Sequence, residues 1–181
     1  MKVEKANLEG LCIIKPDVFG DTRGYFFESY SAGKYREIGI DSDFVQDNIS
    51  KSVKGTLRGL HLQIGKEAQG KLCQVISGMV LDVAVDVRPD STTFGKYFSI
   101  ELSGENHTQL WIPPGFAHGF SVLSEEAIFS YKCTNYYDKQ SERSILYNDP
   151  ELGIDWKIDK PIVSEKDLNA ETFAKFRGKY L

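Results

Sequence analysis

The sequence predicts an all-β domain, a sandwich or barrel with helices only at its edges. Short runs of β-branched and aromatic residues recur along the chain and are broken by Gly, Pro, Asn and Asp. Many short strands at a spacing of roughly 8–12 residues are typical of such folds. A chain of 181 residues is long enough for one domain with a sizeable core. We therefore expect a single domain over residues 1–181.

The central strands are predicted from the alternation of polar and apolar residues. In residues 80–87, Asp82, Ala84 and Asp86 share one face, and the aliphatic side chains between them share the other. Six further segments are predicted as strands: 55–63, 71–76, 97–102, 109–112, 119–123 and 127–134. Together these segments predict an antiparallel β core.

The two ends of the chain carry different signals. Ser31 is a candidate cap for a short helix over residues 32–38. Ser164 and Asp167 resemble a capping box ahead of a C-terminal helix that Gly178 ends. One face of that helix would consist of Leu168, Thr172, Phe173 and Phe176. The long N-terminal arm is expected to pair with a sheet edge, in its own chain or in a partner subunit.

Composition excludes several classes of protein. A formal net charge of −4 argues against broad nucleic-acid binding. Cys12, Cys73 and Cys133 lie far apart, which disfavours a disulfide framework or a cysteine-rich zinc site and fits a reducing cytoplasm. Residues 1–10 do not resemble a signal peptide, and the chain has no apolar run long enough to cross a membrane. We expect a cytoplasmic protein in which Cys73 and Cys133 are buried.

The segment 55–63 is the most informative part of the chain. It places Arg58 and His61 three residues apart, so in a regular strand they would point to opposite faces. A bulge at Gly59 would bring both side chains to one face, and glycine in a strand often marks a bulge or a close approach. Gln63 shares the face of His61.

Two glycine-rich segments, 55–63 and 113–119, each contain one histidine, His61 and His118. Together they resemble the two motifs of the cupin barrel, which implies a β-sandwich or jelly-roll barrel with an N-terminal arm and a short C-terminal helix. The first motif departs from the pattern because Gln63 stands where a metal-binding histidine is usual. A transition metal needs several converging ligands, and glutamine is a poor substitute for histidine.

We therefore expect no metal, although His61, His118 and Glu67 together could supply three ligands. Without a metal, His61 is free to act as a general base, since histidine changes its charge near neutral pH. The alternative is a core histidine with its hydrogen bonds satisfied.

Over most of its length the sequence resembles the dTDP-4-dehydrorhamnose 3,5-epimerases, a family of metal-free cupins. The matching segments are 19–28, 44–50, 57–63, 69–72, 82–95, 112–120, 131–137, 148–156 and 164–167. The family's substrate is a nucleotide-linked 4-keto-6-deoxyhexose, whose ketone acidifies the hydrogens at C3 and C5. Epimerisation then needs a base on one face of the sugar, an acid on the other, and stabilisation of the enolate oxygen.

The resemblance implies a role for each catalytic residue. His61 is the base, Asp167 orients it, Tyr131 is the acid on the opposite face, and Lys71 binds the substrate and stabilises the enolate. Each has a simpler alternative, because Asp167 could cap its helix, Tyr131 could pack in the core, and Lys71 could be a solvated residue at a strand edge.

The resemblance also implies substrate-binding residues and a homodimer with exchanged arms. The guanidinium groups of Arg23 and Arg58 are expected to bind diphosphate or sugar oxygens, because a guanidinium can donate two parallel hydrogen bonds. The other implied contacts are Glu28, Gln46, Asn48, His118, Glu142 and Lys166, with Phe19, Phe26 and Tyr137 as aromatic contacts to the base. Since Arg23 and Glu28 belong to the arm, one site would draw on two chains. No cofactor, nucleic acid or membrane partner is implied.

The resemblance implies that the enzyme converts dTDP-4-dehydro-6-deoxy-D-glucose to dTDP-4-dehydro-L-rhamnose. This reaction belongs to the synthesis of dTDP-rhamnose for lipopolysaccharide or other cell-surface polysaccharides. Three alternatives stay open at this point. A related enzyme could epimerise only C3 or C5, or could be a 3,4-ketoisomerase. A metal-dependent cupin would need stoichiometric metal, and a non-catalytic binding module would need neither His61 nor Tyr131.

Overall fold

A computed structural model describes residues 1–180, and it confirms the all-β prediction. The thirteen strands are β1 (Lys2–Lys5), β2 (Cys12–Lys15), β3 (Phe19–Asp21), β4 (Gly24–Phe26), β5 (Gln46–Val53), β6 (Leu57–Gln63), β7 (Lys71–Ser77), β8 (Met79–Asp86), β9 (Tyr97–Ser103), β10 (Gln109–Ile112), β11 (Phe116–Val122), β12 (Glu126–Cys133) and β13 (Glu142–Ser144). The helices are α1 (Ala32–Glu37), α2 (Glu165–Leu168) and α3 (Phe173–Tyr180), and a 3-10 turn covers Gly65–Glu67.

The strands form two antiparallel sheets and a separate hairpin. The first sheet has the order β1-β2-β10-β7-β12-β5, and the second has the order β13-β6-β11-β8-β9. β3 and β4 form the hairpin. Strands that are distant in sequence are neighbours in both sheets, as expected for a jelly-roll arrangement.

The main core lies between the two sheets. Both sheets contribute to it, for example through Leu110 and Phe129 from the first and Val80 and Phe120 from the second. A second apolar cluster covers the other face of the second sheet, where residues of the C-terminal segment such as Trp156 pack. The second sheet is therefore covered on both faces.

Strand β8 shows why the predicted alternation is correct. Val80 and Ala84 belong to the core between the sheets, whereas Leu81 and Val83 belong to the cluster on the opposite face. Asp82 is fully buried on the same side as Ala84. A buried carboxylate needs a hydrogen-bond partner, and His118 on β11 is the partner of Asp82.

The sequence predicted one C-terminal helix, but the structure has two shorter helices, α2 and α3. Glu171 pairs with Ile145 in an isolated β-bridge, and its carbonyl accepts a hydrogen bond from Leu146 at 2.8 Å. This extended backbone interrupts the helix between α2 and α3. Gly178 lies inside α3, so the prediction that it ends the helix is wrong.

Only part of the predicted helix face is buried. Phe173 and Phe176 pack in the core, as expected, but Leu168 is 54% exposed. The predicted helix over residues 32–38 is confirmed as α1, although the side chain of Ser31 makes no capping hydrogen bond.

The first part of the N-terminal arm, β1 and β2, pairs with a sheet edge in its own chain. β1 pairs with β2, and β2 pairs with β10 of the first sheet. The β3–β4 hairpin that follows is exposed along both strands. Phe19 and Phe26 face each other across it, and each is 66% exposed.

Cys12, Cys73 and Cys133 are free thiols. Cys73 and Cys133 are buried, as predicted. Across residues 1–180 we find no helix whose length and apolar character would let it cross a membrane.

Candidate active site

A cavity of about 870 Å³ is lined by residues from both sheets. The first sheet contributes Gln46, Asn48, Ser50, Lys71, Tyr131 and Cys133, and the second contributes Arg58, His61, Gln63, His118, Phe120 and Glu142. The C-terminal segment adds Ser164, Lys166 and Asp167. Most of the residues that the family resemblance implied therefore converge on one cavity.

Gly59 explains how Arg58 and His61 reach the same cavity. His61 pairs with His118, and Arg58 pairs with Phe120. Between these two pairs, β6 contains one more residue than β11. The predicted irregularity in β6 is therefore present. Gly59 has φ +139, and a Cβ there would lie 2.6 Å from the Cα of Gly119, so a side chain would clash.

His61 and Asp167 form a close pair. Nε2 of His61 lies 2.5 Å from Oδ1 of Asp167, and Oδ2 accepts a hydrogen bond from the Gly59 amide at 3.4 Å. Ser164 accepts the Asp167 amide at 3.2 Å, so only the serine half of the predicted capping box forms. The backbone of Asp167 is capped while its side chain is free to reach His61.

The pKa of Asp167 lies below its usual value. Burial alone would raise that pKa, but the hydrogen bond and charge of His61 and the Gly59 amide more than offset it. An ionised Asp167 accepts a hydrogen bond from the Nε2–H group of His61, which leaves the Nδ1 lone pair of His61 available as a base.

Lys71 and Tyr131 come from the opposite sheet. Nζ of Lys71 lies 3.4 Å from the carbonyl oxygen of His61 and 5.9 Å from the ring centre of Tyr131. Burial lowers the pKa of Lys71 and raises the pKa of Tyr131 to about 12, so the phenol of Tyr131 carries its proton at neutral pH. Lys71 is 8% exposed and is not the solvated lysine of the simpler alternative.

His118 is bound within the cavity wall. Its Nε2 lies 2.6 Å from Oδ1 of the buried Asp82 and 3.8 Å from Sγ of Cys73. Burial lowers the pKa of His118, although Asp82 opposes that shift. The partner of the buried carboxylate on β8 is thus a histidine of the site.

The four residues at cupin metal-ligand positions do not act as one ligand set. His61 pairs with Asp167, and the carboxylate of Glu67 lies 3.7 Å from Lys66. Gln63 uses its amide nitrogen for two carbonyl groups and its oxygen for a backbone amide. Each residue is engaged separately.

Within residues 1–180, one group of candidate metal-ligating atoms does converge, and it consists of Cys73, Asp82 and His118. All lie within 4.8 Å of one another. The charge of the neighbouring Lys71 acts on both Cys73 and His118, and an ammonium there opposes a cation.

A second polar group lies around Glu142. Lys166 donates to its Oε1 at 2.5 Å, and Tyr137 donates to its Oε2 at 3.1 Å. Burial alone would raise the pKa of Glu142, but Lys166 lowers it below the usual value. The ring of Tyr137 is 54% exposed, so it offers a free face.

The first sheet and Arg58 supply further donors and acceptors. Gln46 donates to Asn48 at 3.0 Å and accepts the backbone amide of Tyr137 at 2.9 Å. Nε of Arg58 donates to Ser52 at 3.1 Å, which orients the guanidinium.

Four predicted residues lie outside this cavity in the single chain. Arg23 sits at the turn of the β3–β4 hairpin and donates a hydrogen bond to Asp21, with Nη2 2.5 Å from Oδ2. Glu28 pairs with Lys34. Phe19 and Phe26 lie on the same exposed hairpin. The arm therefore does not contribute to the cavity of its own chain.

Sequence reasoning missed Ser50 and Ser164 as cavity residues. Gln46 and Asn48 already occupied alternate positions of β5, so a period of two would have pointed to Ser50. The hydroxyl of Ser50 is buried and has no hydrogen-bond partner among residues 1–180.

Comparison with known proteins shows which family the chain resembles. A sequence profile of the dTDP-4-dehydrorhamnose 3,5-epimerases matches residues 5–175. The dTDP-4-dehydrorhamnose 3,5-epimerase of Salmonella typhimurium is 54% identical over 172 residues, which is 94% of each chain. The crystal structure of the Elizabethkingia anophelis enzyme of that name has a TM-score of 0.93 and 55% identity, covering 100% of this chain and 99% of its own.

A third relative was solved with a ligand. The dTDP-6-deoxy-D-glucose-3,5-epimerase of Legionella pneumophila, in complex with dTDP-4-keto-L-rhamnose, has a TM-score of 0.95 and 49% identity. The match covers 99% of this chain and 96% of that one. Sequence and fold lead to the same conclusion over nearly the whole length: the chain belongs to the dTDP-4-dehydrorhamnose 3,5-epimerase family.

Proposed function

We propose that His61 and Tyr131 carry out the epimerisation at C3 and C5 that converts dTDP-4-dehydro-6-deoxy-D-glucose to dTDP-4-dehydro-L-rhamnose. The family membership makes the chain an isomerase of dTDP-rhamnose biosynthesis. The observation that supports the residue roles is their placement, because His61 belongs to the second sheet and Tyr131 to the first. A sugar lying between the sheets would meet the base on one face and the acid on the other.

The proposed reaction moves protons only. Nδ1 of His61 removes the proton from the carbon next to the ketone, and the electron pair moves onto O4 as an enolate. The ammonium of Lys71 stabilises that oxygen, as buried cations do where negative charge develops. Tyr131 then gives its phenolic proton to the opposite face of the carbon. Before the next abstraction, His61 releases the proton it took to solvent, and the phenolate of Tyr131 takes a proton from solvent. The cycle runs once at C3 and once at C5.

The remaining cavity residues are proposed to bind the nucleotide sugar. The terminal guanidinium nitrogens of Arg58 face a diphosphate or sugar oxygen, since only Nε is used by Ser52. His118, Gln46 and Asn48 contact the sugar or base from the walls. Lys166 and Glu142 lie beside Tyr137, whose exposed ring is suited to stacking on the nucleobase.

We also propose that the chain is one domain over residues 1–181 and acts as a homodimer with exchanged arms. The β3–β4 hairpin exposes Phe19 and Phe26, and Arg23 is 88% exposed, so all three are available to another subunit. Arg23 and Glu28 would complete the partner's cavity rather than their own. Because all three cysteines are free, we place the enzyme in the cytoplasm.

A complementation experiment tests the exchanged arm. Arg23→Ala and His61→Asn are each expected to lower activity as homodimers. A heterodimer of the two, purified with two different tags, contains one wild-type cavity served by one wild-type arm. We expect it to recover about half of the wild-type activity, since one of two equivalent sites is intact.

The matched control is a heterodimer of His61→Asn and Tyr131→Phe. Both changes lie in the cavity, so neither of its two sites is intact and no activity should return. An Arg23→Ala heterodimer that is no more active than its parent homodimers would contradict the exchange of arms.

The reaction itself is tested by turnover of dTDP-4-dehydro-6-deoxy-D-glucose, with the product's configuration read by NMR. We expect inversion at both C3 and C5. Inversion at one carbon would indicate a mono-epimerase, and a 3-keto product would indicate a ketoisomerase. Binding without turnover would indicate a non-catalytic module. Activity that is lost on chelation and restored by a metal would indicate a metal-dependent cupin.

A further inference from the structure

We infer that Gln63 is a positioning residue that holds Tyr137 at the mouth of the cavity. The inference rests on the proposed function, in which this cavity binds dTDP and Tyr137 contacts the nucleobase. Gln63 ends β6 and is 5% exposed. Metal cupins have a histidine ligand at this position. In this chain the side chain of Gln63 instead forms hydrogen bonds to backbone groups of two loops.

The carboxamide of Gln63 bonds to the loop on both sides of Tyr137. Nε2 donates to the carbonyl of Tyr136 at 3.1 Å, and Oε1 accepts the amide of Asp138 at 2.7 Å. Nε2 also donates to the carbonyl of Glu67 at 2.7 Å, in the 3-10 turn. Both amide hydrogens and one oxygen lone pair are therefore used for backbone groups.

Tyr137 is thus held through its backbone while its ring stays free. Its own amide donates to Gln46 at 2.9 Å, so three successive residues of the loop are anchored by two glutamines. The hydroxyl of Tyr137 bonds to Glu142 at 3.1 Å. An aromatic ring with fixed backbone and fixed hydroxyl is preorganised to receive a planar base, which lowers the cost of binding.

The chemistry of the position requires glutamine. The side chain must present two N–H groups to carbonyl oxygens and one oxygen to an amide, at a single buried point. A glutamate would place a carboxylate against the carbonyl groups of Glu67 and Tyr136, and the longer reach of glutamine over asparagine spans two loops. The hydrogen bonds of the Gln63 carboxamide all go to backbone groups of Glu67, Tyr136 and Asp138, so its loss should affect binding more than chemistry.

The test compares Gln63→Leu with the wild-type enzyme. We expect the KM for the nucleotide sugar and the Kd for dTDP, measured by calorimetry, to rise about tenfold, the effect of one or two net hydrogen bonds. We expect kcat to change by less than about threefold, as for an interaction kept equally in ground and transition states. Gln63→Met, which is unbranched like glutamine, repeats the test if the leucine variant does not fold.

Gln109→Leu is the matched control. Gln109 is also a fully buried glutamine with three hydrogen bonds, to Ser29, Gln74 and Tyr35, and it does not line the cavity. Its loss should lower the melting temperature and leave both KM and the Kd for dTDP unchanged. A similar rise in KM in this variant would show that general destabilisation is the cause.

A double-mutant cycle with Tyr137→Leu isolates the coupling. If Gln63 acts by placing the ring, adding Gln63→Leu to Tyr137→Leu should change the Kd for dTDP by less than about twofold. An equal effect in both backgrounds, or a loss in kcat without a change in KM, would overturn the inference. Failure of the wild-type enzyme to bind dTDP would instead contradict the proposed function.

Discussion

Replacing His61 with asparagine should lower kcat by about a thousandfold, the usual range for removing a positioned general base. Asparagine keeps a polar side chain of similar width but cannot take a proton at neutral pH. The carboxylate of Asp167 lies 2.5 Å from the imidazole and would lose the group that it orients. Epimerisation is followed by NMR of the product, and exchange of substrate hydrogens with deuterated water is followed in the same samples.

Both readouts should fail together in this variant, because no proton can leave C3 or C5 without the base. The Kd for dTDP should remain within about twofold of the wild-type value, since the proposed base does not contact the nucleotide. If exchange persists at the wild-type rate, His61 is not the base, and the His61–Asp167 pair is a structural feature of the cavity wall.

Replacing Tyr131 with phenylalanine should separate two steps that are linked in the wild-type enzyme. Inversion should fall by about a hundredfold or more, because the opposite face loses its proton donor. Hydrogen exchange should continue, since His61 can still remove a proton and return a deuteron to the same face. The ring of Tyr131 packs against Phe129 at 5.8 Å between centres, and phenylalanine preserves that packing.

Tyr35→Phe is the matched control for loss of a buried tyrosine hydroxyl. Burial raises the pKa of Tyr35 to about 12, as it does for Tyr131, but Tyr35 bonds to Gln109 outside the cavity. Its loss should affect stability and leave kcat unchanged. If Tyr131→Phe abolishes exchange and inversion equally, the phenol is needed for the removal of the proton, and the assignment of two faces is wrong.

The sequence predicts the local parts of the fold well. The alternation in β8 is confirmed because it depends only on which side of a strand each residue lies. The break between α2 and α3 was not predicted, because it arises from a bridge between Ile145 and Glu171. Pairings between distant segments carry no local signal.

The same distinction applies to the site. The irregularity at Gly59 was inferred from the spacing of Arg58 and His61, and the register of β6 and β11 bears it out. The pairing of His61 with Asp167 joins residues 106 positions apart, and the residues alone favoured a helix cap for Asp167. Only the resemblance to a family indicated the pair. The roles of these residues in catalysis stay predictions.

In the proposed mechanism, one sheet supplies the base and the other supplies the acid for inversion at two carbons. The most direct test is turnover of dTDP-4-dehydro-6-deoxy-D-glucose by the wild-type enzyme in deuterated water, with deuterium located by NMR. We expect solvent deuterium at both C3 and C5 of a product that is inverted at both. Inverted product that carries deuterium at only one of the two carbons, or at neither, would contradict it.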